Sequence, residues 1–349
     1  MSLLIYGANG YTGELIARRA VDQALPAILG GRSAGAVEAL AAELGRPFRV
    51  FSLDQPTAID AALAGIKVVL NCAGPFSRTA APLVDACLRT GAHYLDITGE
   101  IGVLEAMAAR DGEARAAAIT VLPGAGFDVV PSDCLAAHVK RRLPAATHLA
   151  LAFRAGTRMS RGTAITSIEN AHGGGMVRRA GALTPVPSGW RTRTVDFGDG
   201  PRKAITIPWG DVATAYHTTG IPNIEVYLAL PTTMRIGLRL ARWAGPLLKS
   251  GSLQRFLKTR VARGAPGPTA TARAAGGSDL WAEARAETGA LARARLRTAE
   301  AYELTSWTAV ELASRALRGA LPPGFQTPAG ACGPDFVLQF PGTIREDIA

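Results

Sequence analysis

The opening of the chain leaves few folds available. Leu3-Leu4-Ile5-Tyr6 reads as a short apolar strand. Gly7-Ala8-Asn9-Gly10-Tyr11-Thr12-Gly13 follows at once with the spacing G-x-x-G-x-x-G, and residues 12–24 are helix-forming. Gly7 suits a tight turn, Gly10 lets a backbone approach a diphosphate with no Cβ in the way, and Gly13 lets the helix pack close on a sheet. The N–H groups of the helix start would then face the anion, with the positive end of the helix dipole behind them. Gly7, Asn9, Gly10, Tyr11, Thr12 and Gly13 are therefore expected to contact a dinucleotide. A glycine turn with no ligand is the alternative, and the strand–turn–helix context argues against it.

Beyond this first helix the chain keeps the rhythm of a parallel sheet. Strand-like runs at 27–29, 48–53, 68–70, 94–97 and 119–122 alternate with helical blocks at 38–44, 59–64, 79–90 and 104–118. Six strands with crossovers at this spacing predict an α/β fold, an open doubly wound Rossmann sheet over 1–129. The end of the second strand selects the cofactor. An NAD site would carry Asp or Glu there, but this chain has Gly30-Gly31-Arg32-Ser33. Arg32 offers a planar donor fork for a ribose 2′-phosphate and Ser33 a hydroxyl, which points to NADP(H). Asp54, after the third strand, is a candidate adenine contact. Asn71-Cys72-Ala73-Gly74-Pro75-Phe76 ends the fourth strand at the sheet's carboxyl edge. Cys72, Ala73, Gly74 and Pro75 are expected to lie against the nicotinamide half.

The second half groups its strands instead of interleaving them. A helix at 132–142, a strand at 147–154 and a helix at 163–171 lead into strand-like stretches at 193–197, 203–208 and 223–230. Two alternating runs, 280–286 and 290–297, precede a helix at 300–318. This predicts an α+β mixed-sheet domain over 130–320 for substrate binding or dimerisation. Residues 264–278 read as a loop. No basic n-region or small-residue cleavage site precedes the first strand, so no leader is expected, and no stretch reaches membrane-spanning length. Cys72, Cys87, Cys134 and Cys332 are scattered with no His at ligand spacing, so no metal site is expected and a cytoplasmic location fits.

In order and spacing, GANGYTG, GGRS, NCAGPF, YLDITGE (94–100) and PGAGFDVVPSD (123–133) resemble the saccharopine dehydrogenase-like oxidoreductases, a group that includes trans-acting enoyl reductases. GIPNIEVYLALP (220–231) and GFQTPAGACG (324–333) extend the resemblance. It implies an NADP-binding Rossmann domain, a mixed-sheet second domain and a C-terminal segment, 321–349, that returns to the Rossmann side. The implied activity is hydride transfer to or from a C=N, C=O or activated C=C group in the cleft between the domains. Substrate does not transfer with the fold.

The proton carrier is less marked. None of the six tyrosines has Lys four residues later, which excludes the short-chain reductase arrangement. Asp128 is either a substrate-side carboxylate, as the resemblance suggests, or a hinge or capping group, and His217 is the second candidate. Arg161, Gly162 and Thr163, behind Ser160 and close to Arg158, could bind a substrate carboxylate or phosphate, though helix capping explains Ser160 equally well.

The net charge is +10. Eight basic residues and no acid lie between Pro231 and Arg263, with Ile236, Leu240, Trp243 and Leu247 at helical spacing. Either a solvated domain helix or a peripheral membrane contact through 231–263 fits this stretch. The expected partners are a small-molecule or lipid-like substrate and a second copy of the chain. Nucleic acid is not expected, because no basic and aromatic platform is present. The competing function is a membrane-associated NADP-binding sensor or scaffold with little catalysis.

Overall fold

A computed structural model describes residues 2–155, 159–170, 174–241 and 250–348. The chain divides into two compact units, one of 1–130 with 302–332 and the other of 131–301 with 333–349.

The first unit is a parallel sheet. Its strands are β1 (Ser2–Tyr6), β2 (Ala27–Gly31), β3 (Phe48–Val50), β4 (Ile66–Asn71), β5 (His93–Asp96) and β6 (Thr120–Leu122). With β15 (Gly324–Phe325), their order is β15-β6-β5-β4-β1-β2-β3. Leu3, Leu4, Ile5 and Tyr6 are buried on both faces, as a strand covered by crossover helices must be. Strand order reverses between β1 and β4, which places the ligand crevice at their carboxyl ends. The crossover helices are α1 (Tyr11–Asp22), α2 (Ala34–Leu44), α3 (Pro56–Leu63), α4 (Phe76–Thr90), α5 (Ile101–Ala108) and α6 (Asp111–Ala116). The block expected as one helix at 104–118 is broken into α5 and α6.

The second unit follows α7 (Val130–Arg142). Its strands are β7 (His148–Ala155), β8 (Gly175–Arg179), β9 (Ala182–Val186), β10 (Thr192–Asp196), β11 (Pro201–Thr206), β12 (Asn223–Ala229), β13 (Gly277–Arg285), β14 (Leu291–Ala299) and β16 (Ile344–Ile348). They form a mixed sheet of order β10-β11-β12-β7-β13-β14-β16, with β8 on β12 and β9 on β8. Among the described residues of this sheet only the β7–β12 pair is parallel. Along β14, Ala292, Ala294, Leu296 and Thr298 are buried and alternate with exposed or half-buried residues, the period-2 pattern of a one-sided sheet.

Three expectations change. The helix Ala301–Leu317 lies almost wholly in the first unit, where Lys67 Nζ donates to Leu317 O at 2.9 Å and Thr308 Oγ1 donates to Ala125 O at 2.7 Å. The expected 130–320 boundary therefore falls short at 301. The tail also divides: β15 extends the first sheet beside β6, whereas β16 pairs with β14. Residues 264–278, expected as loop, contain the helix Ala270–Ala275, capped by the Thr269 hydroxyl. Asp347 on β16 is held at 2.7 Å from His138 Nε2 and accepts from Arg142 at 3.0 Å. Ending the chain after Cys332 should therefore open the second unit only. Limited proteolysis read by mass spectrometry should show new cuts within 131–301 and continued protection of 3–122.

Candidate functional site

The glycine turn is built as its spacing requires. Gly7 has φ +82°, and a Cβ there would lie 2.8–2.9 Å from Ala73 backbone and side-chain atoms. A Cβ on Gly13 would sit 2.2 Å from Gly7 O, so only glycine allows α1 to start this close to the turn. Gly10 caps α1 without a side chain, and the first intrahelical bond runs from Glu14 N–H to Gly10 O at 2.8 Å. The amides of the first turn thus have no preceding carbonyl in the helix, which leaves donors at the positive end of the dipole. Asn9 and Gly10 are exposed. The Tyr11 ring packs edge-on to Tyr302, centroids 5.2 Å apart.

Two of the segments expected to bind cofactor meet here. The close approach of Gly7 to Ala73 sets the turn Cys72–Pro75 beside the glycine turn. Cys72 N–H donates to Tyr6 O at 2.7 Å, and Gly7 N–H donates to Gly30 O at 2.8 Å. Burial pushes the Cys72 thiol well above its usual range, so it supplies packing and not a thiolate. At the end of β2, Arg32 and Ser33 are exposed. Among the described residues Arg32 holds no ion pair, and the Ser33 hydroxyl makes no cap bond although Ser33 stands at the N-cap of α2. Asp54 is also exposed and accepts from Ser52 Oγ at 2.5 Å.

Below this surface lies a network that the sequence motifs do not announce. Asn71, Tyr94 and Asp96 are fully buried at the ends of β4 and β5. Asn71 Nδ2 donates to Tyr94 OH at 3.2 Å and to Thr79 Oγ1 at 3.0 Å, and Asn71 Oδ1 accepts from Ala73 N–H at 3.0 Å. Tyr94 OH donates to Asp96 Oδ2 at 2.8 Å. Asp96 Oδ1 accepts from Thr98 and Gly124 N–H, both at 3.0 Å. Glu100 then caps α4, where Pro75 at the N-cap has no side-chain donor or acceptor to offer. Its carboxylate accepts from Phe76 N–H at 2.8 Å and Ser77 N–H at 3.0 Å. The string YLDITGE is thus a ladder of alternate residues that fixes the turn after β4. The signal available in sequence is that alternation, Tyr94, Asp96, Thr98 and Glu100.

Asp128, half-buried after β6, has its carboxylate against Gly99: a Cβ there would lie 1.6 Å from Asp128 Oδ2. The Asp128–Val129 and Gly74–Pro75 peptides are cis. In the second unit His217 is exposed in the last turn of α9 (Asp211–Thr219), with its ring 5.6 Å from that of Tyr216. Asp133 is buried in α7 and accepts from Thr218 Oγ1 at 2.6 Å.

The stretch Ser160 to Thr163 starts α8 (Arg161–Asn170), and several of its donors bond within the second unit. Arg161 N–H reaches Pro266 O at 2.9 Å, Thr163 N–H reaches Ser160 Oγ at 3.3 Å, and Arg161 Nε reaches Gly264 O at 2.8 Å. Ser160 thus caps this helix start, one of the two readings the sequence offered. Arg158 and His172 lie outside the described residues, as do Trp243 and Leu247.

The first unit is therefore a dinucleotide-binding α/β domain with its ligand turn at the β1–β4 switch point. Comparison with known proteins makes this specific. Residues 3–122 match the family model of the saccharopine dehydrogenase NADP binding domain. Among curated proteins, the trans-acting enoyl reductase of Mycobacterium leprae is 34% identical over 149 residues, covering 40% of this chain and 36% of that protein. The human saccharopine dehydrogenase-like oxidoreductase is 32% identical over 151 residues, covering 38% and 35%. The chain thus spans about a third of the length of these relatives. Two solved structures share the fold over nearly the whole chain, each with a TM-score of 0.64. One is apo saccharopine dehydrogenase (L-Glu forming) from Saccharomyces cerevisiae, 12% identical and fully covered on both sides. The other is homospermidine synthase from Legionella pneumophila in complex with NAD, 11% identical, covering 97% of this chain and 88% of that one. Among the described residues no group of His, Cys, Asp and Glu could hold a metal ion, and no helix is long and apolar enough to cross a membrane.

Burial pushes the Asp96 carboxyl up to about 6, although the N–H and O–H donors around it pull the other way. A carboxyl raised by folding binds its proton more tightly in the folded chain. Its stabilising effect is therefore complete below the unfolded value near 4 and is lost as the pH rises through about 6. Chemical denaturation at a series of pH values should show wild type losing up to about 3 kcal/mol relative to Asp96→Asn across that window. Parallel profiles would refute the assignment.

Proposed function

We propose that the protein is an NADP(H)-dependent oxidoreductase that moves hydride to or from a C=N, C=O or activated C=C substrate. The observation that carries this reading is the glycine turn, held against the Cys72–Pro75 turn by the approach of Gly7 to Ala73. The residues present fit the cofactor. Gly7 to Gly13 form a cradle that side chains would fill, and the first-turn amides suit a diphosphate. Arg32 and Ser33, both exposed, would hold a 2′-phosphate, and Asp54, also exposed, would meet the adenine. A bound nicotinamide supplies or accepts the hydride; the protein must orient it and manage the proton.

Orientation falls to the Cys72–Pro75 turn, which Asn71 and Glu100 hold from beneath and behind. For the proton we favour Asp128, a carboxylate of the first unit that follows β6 at the sheet's carboxyl edge, with its Oδ2 fixed against Gly99. His217 is exposed on the second unit, with its ring beside that of Tyr216.

NADPH oxidation with a panel of ketones, keto acid–amine mixtures and enoyl thioesters tests the reading. Turnover of one class is expected, whereas NADPH binding with no turnover of any would favour the sensor instead. Calorimetry should show Arg32→Ala losing about tenfold or more in NADPH affinity, with NADH affinity changed less than about threefold. Equal losses would overturn the choice of cofactor. With an active substrate in hand, Asp128→Asn should lower kcat about 100-fold or more at unchanged NADPH affinity. An unchanged kcat would exclude Asp128.

A further inference from the structure

Residues 226–278 contain no Asp or Glu, and neither do residues 135–168. Both stretches lie in the second unit. On the helix Gly251–Ala262 and its C-cap, Ser252, Arg255, Phe256, Thr259, Arg260 and Arg263 are exposed. Their three- and four-residue spacing places them on one face. Leu257 and Val261 are only half-exposed and mark the side that packs inward, and α8 is the element in contact with this helix.

This face has the composition of an interfacial helix. Phe256 is 57% exposed among three arginines. Met159, at the start of α8, is 55% exposed and lines a cavity of about 310 Å³ with Arg161, Arg260 and Val261. The helix Thr232–Ala241 exposes Met234 and Ile236 at 57% and 53%. Four of the eight exposed large apolar side chains described thus lie in or beside the acid-free stretches. Apolar side chains left in water cost free energy and call for an occupant. Arginines with no acid in the same stretch select one that is anionic.

We propose that this face docks the protein on an anionic membrane surface, with Phe256 and Met159 entering the headgroup–acyl boundary while Arg255, Arg260 and Arg263 meet lipid phosphates. One observation favours a bilayer over a nucleic acid. Three of the four exposed apolar side chains, Met159, Met234 and Ile236, enter hydrocarbon but do not stack on bases. The proposal is independent of the hydride-transfer reading, and NADPH binding is a control that reports on the other unit.

Sedimentation with phosphatidylcholine vesicles containing about one-third phosphatidylglycerol, at about 0.05 M and about 0.5 M salt, tests it. The full chain should partition onto the anionic vesicles at low salt and much less at high salt. R255A/R260A should bind about 25-fold more weakly, about fivefold per charge. F256S/M159S should lose about tenfold or more even at low salt. Both variants should keep the wild-type melting temperature and NADPH affinity. Equal binding to pure phosphatidylcholine, or wild-type partitioning by either variant, would overturn the proposal. So would salt-sensitive capture by heparin with no sedimentation on vesicles.

Discussion

A carboxyl group placed where no water reaches must find every partner within the protein, and Asp96 does so by joining three strand ends. One oxygen takes the amides of Thr98 and Gly124, and the other takes the Tyr94 hydroxyl. Tyr94 receives Asn71, and Asn71 holds the amide of Ala73, the residue against which Gly7 packs. Removing any one member would strand a buried polar group, at a cost of about 1–3 kcal/mol. The network thus forces the ends of β4, β5 and the segment after β6 into one arrangement, and the two turns that would flank a cofactor inherit it. A binding surface made of loops gains a fixed shape because buried groups cannot be satisfied in another one.

The parts of this design that were legible in sequence depend on local rules. The glycine turn was readable because φ +82° at Gly7 and the 2.2 Å approach at Gly13 tolerate no Cβ. The parallel sheet was readable because strands buried on both faces, such as Leu3 to Tyr6, become continuous apolar runs. The Asn71–Tyr94–Asp96 network was not, because its members are 23 and 2 residues apart and meet only through β4–β5 pairing. The fate of the tail was hidden for a similar reason. β15 is two residues long, too short for any periodicity, and its place beside β6 depends on pairing to a strand about 200 residues earlier. β16 carries three charged residues between two isoleucines, which suits an edge strand, but nothing in IREDI says which sheet it joins. The carbonyls of residues 264 and 266 that take the Arg161 donors lie about 100 residues later, and no local pattern could bring them to α8.

Charge distribution settles how a +10 chain should be understood. In the second sheet the arginines are largely spent. Arg154 pairs with Asp199 and Asp279, each at 2.8 Å, and Glu283 accepts from both Arg193 and Arg293. These pairs hold strands in register and present little net field to solvent. The excess arises instead at 226–278, where acids are missing from the sequence, and Met234, Ile236 and Phe256 are exposed there. Paired arginines stabilise a fold, while a cluster without nearby acids is repelled by its own charge and gains most from an external anion. The second unit thus separates two uses of one residue type, ionic cross-links within its sheet and a basic face at its helices. That separation makes the high isoelectric point a statement about one face of the protein, not about the whole molecule.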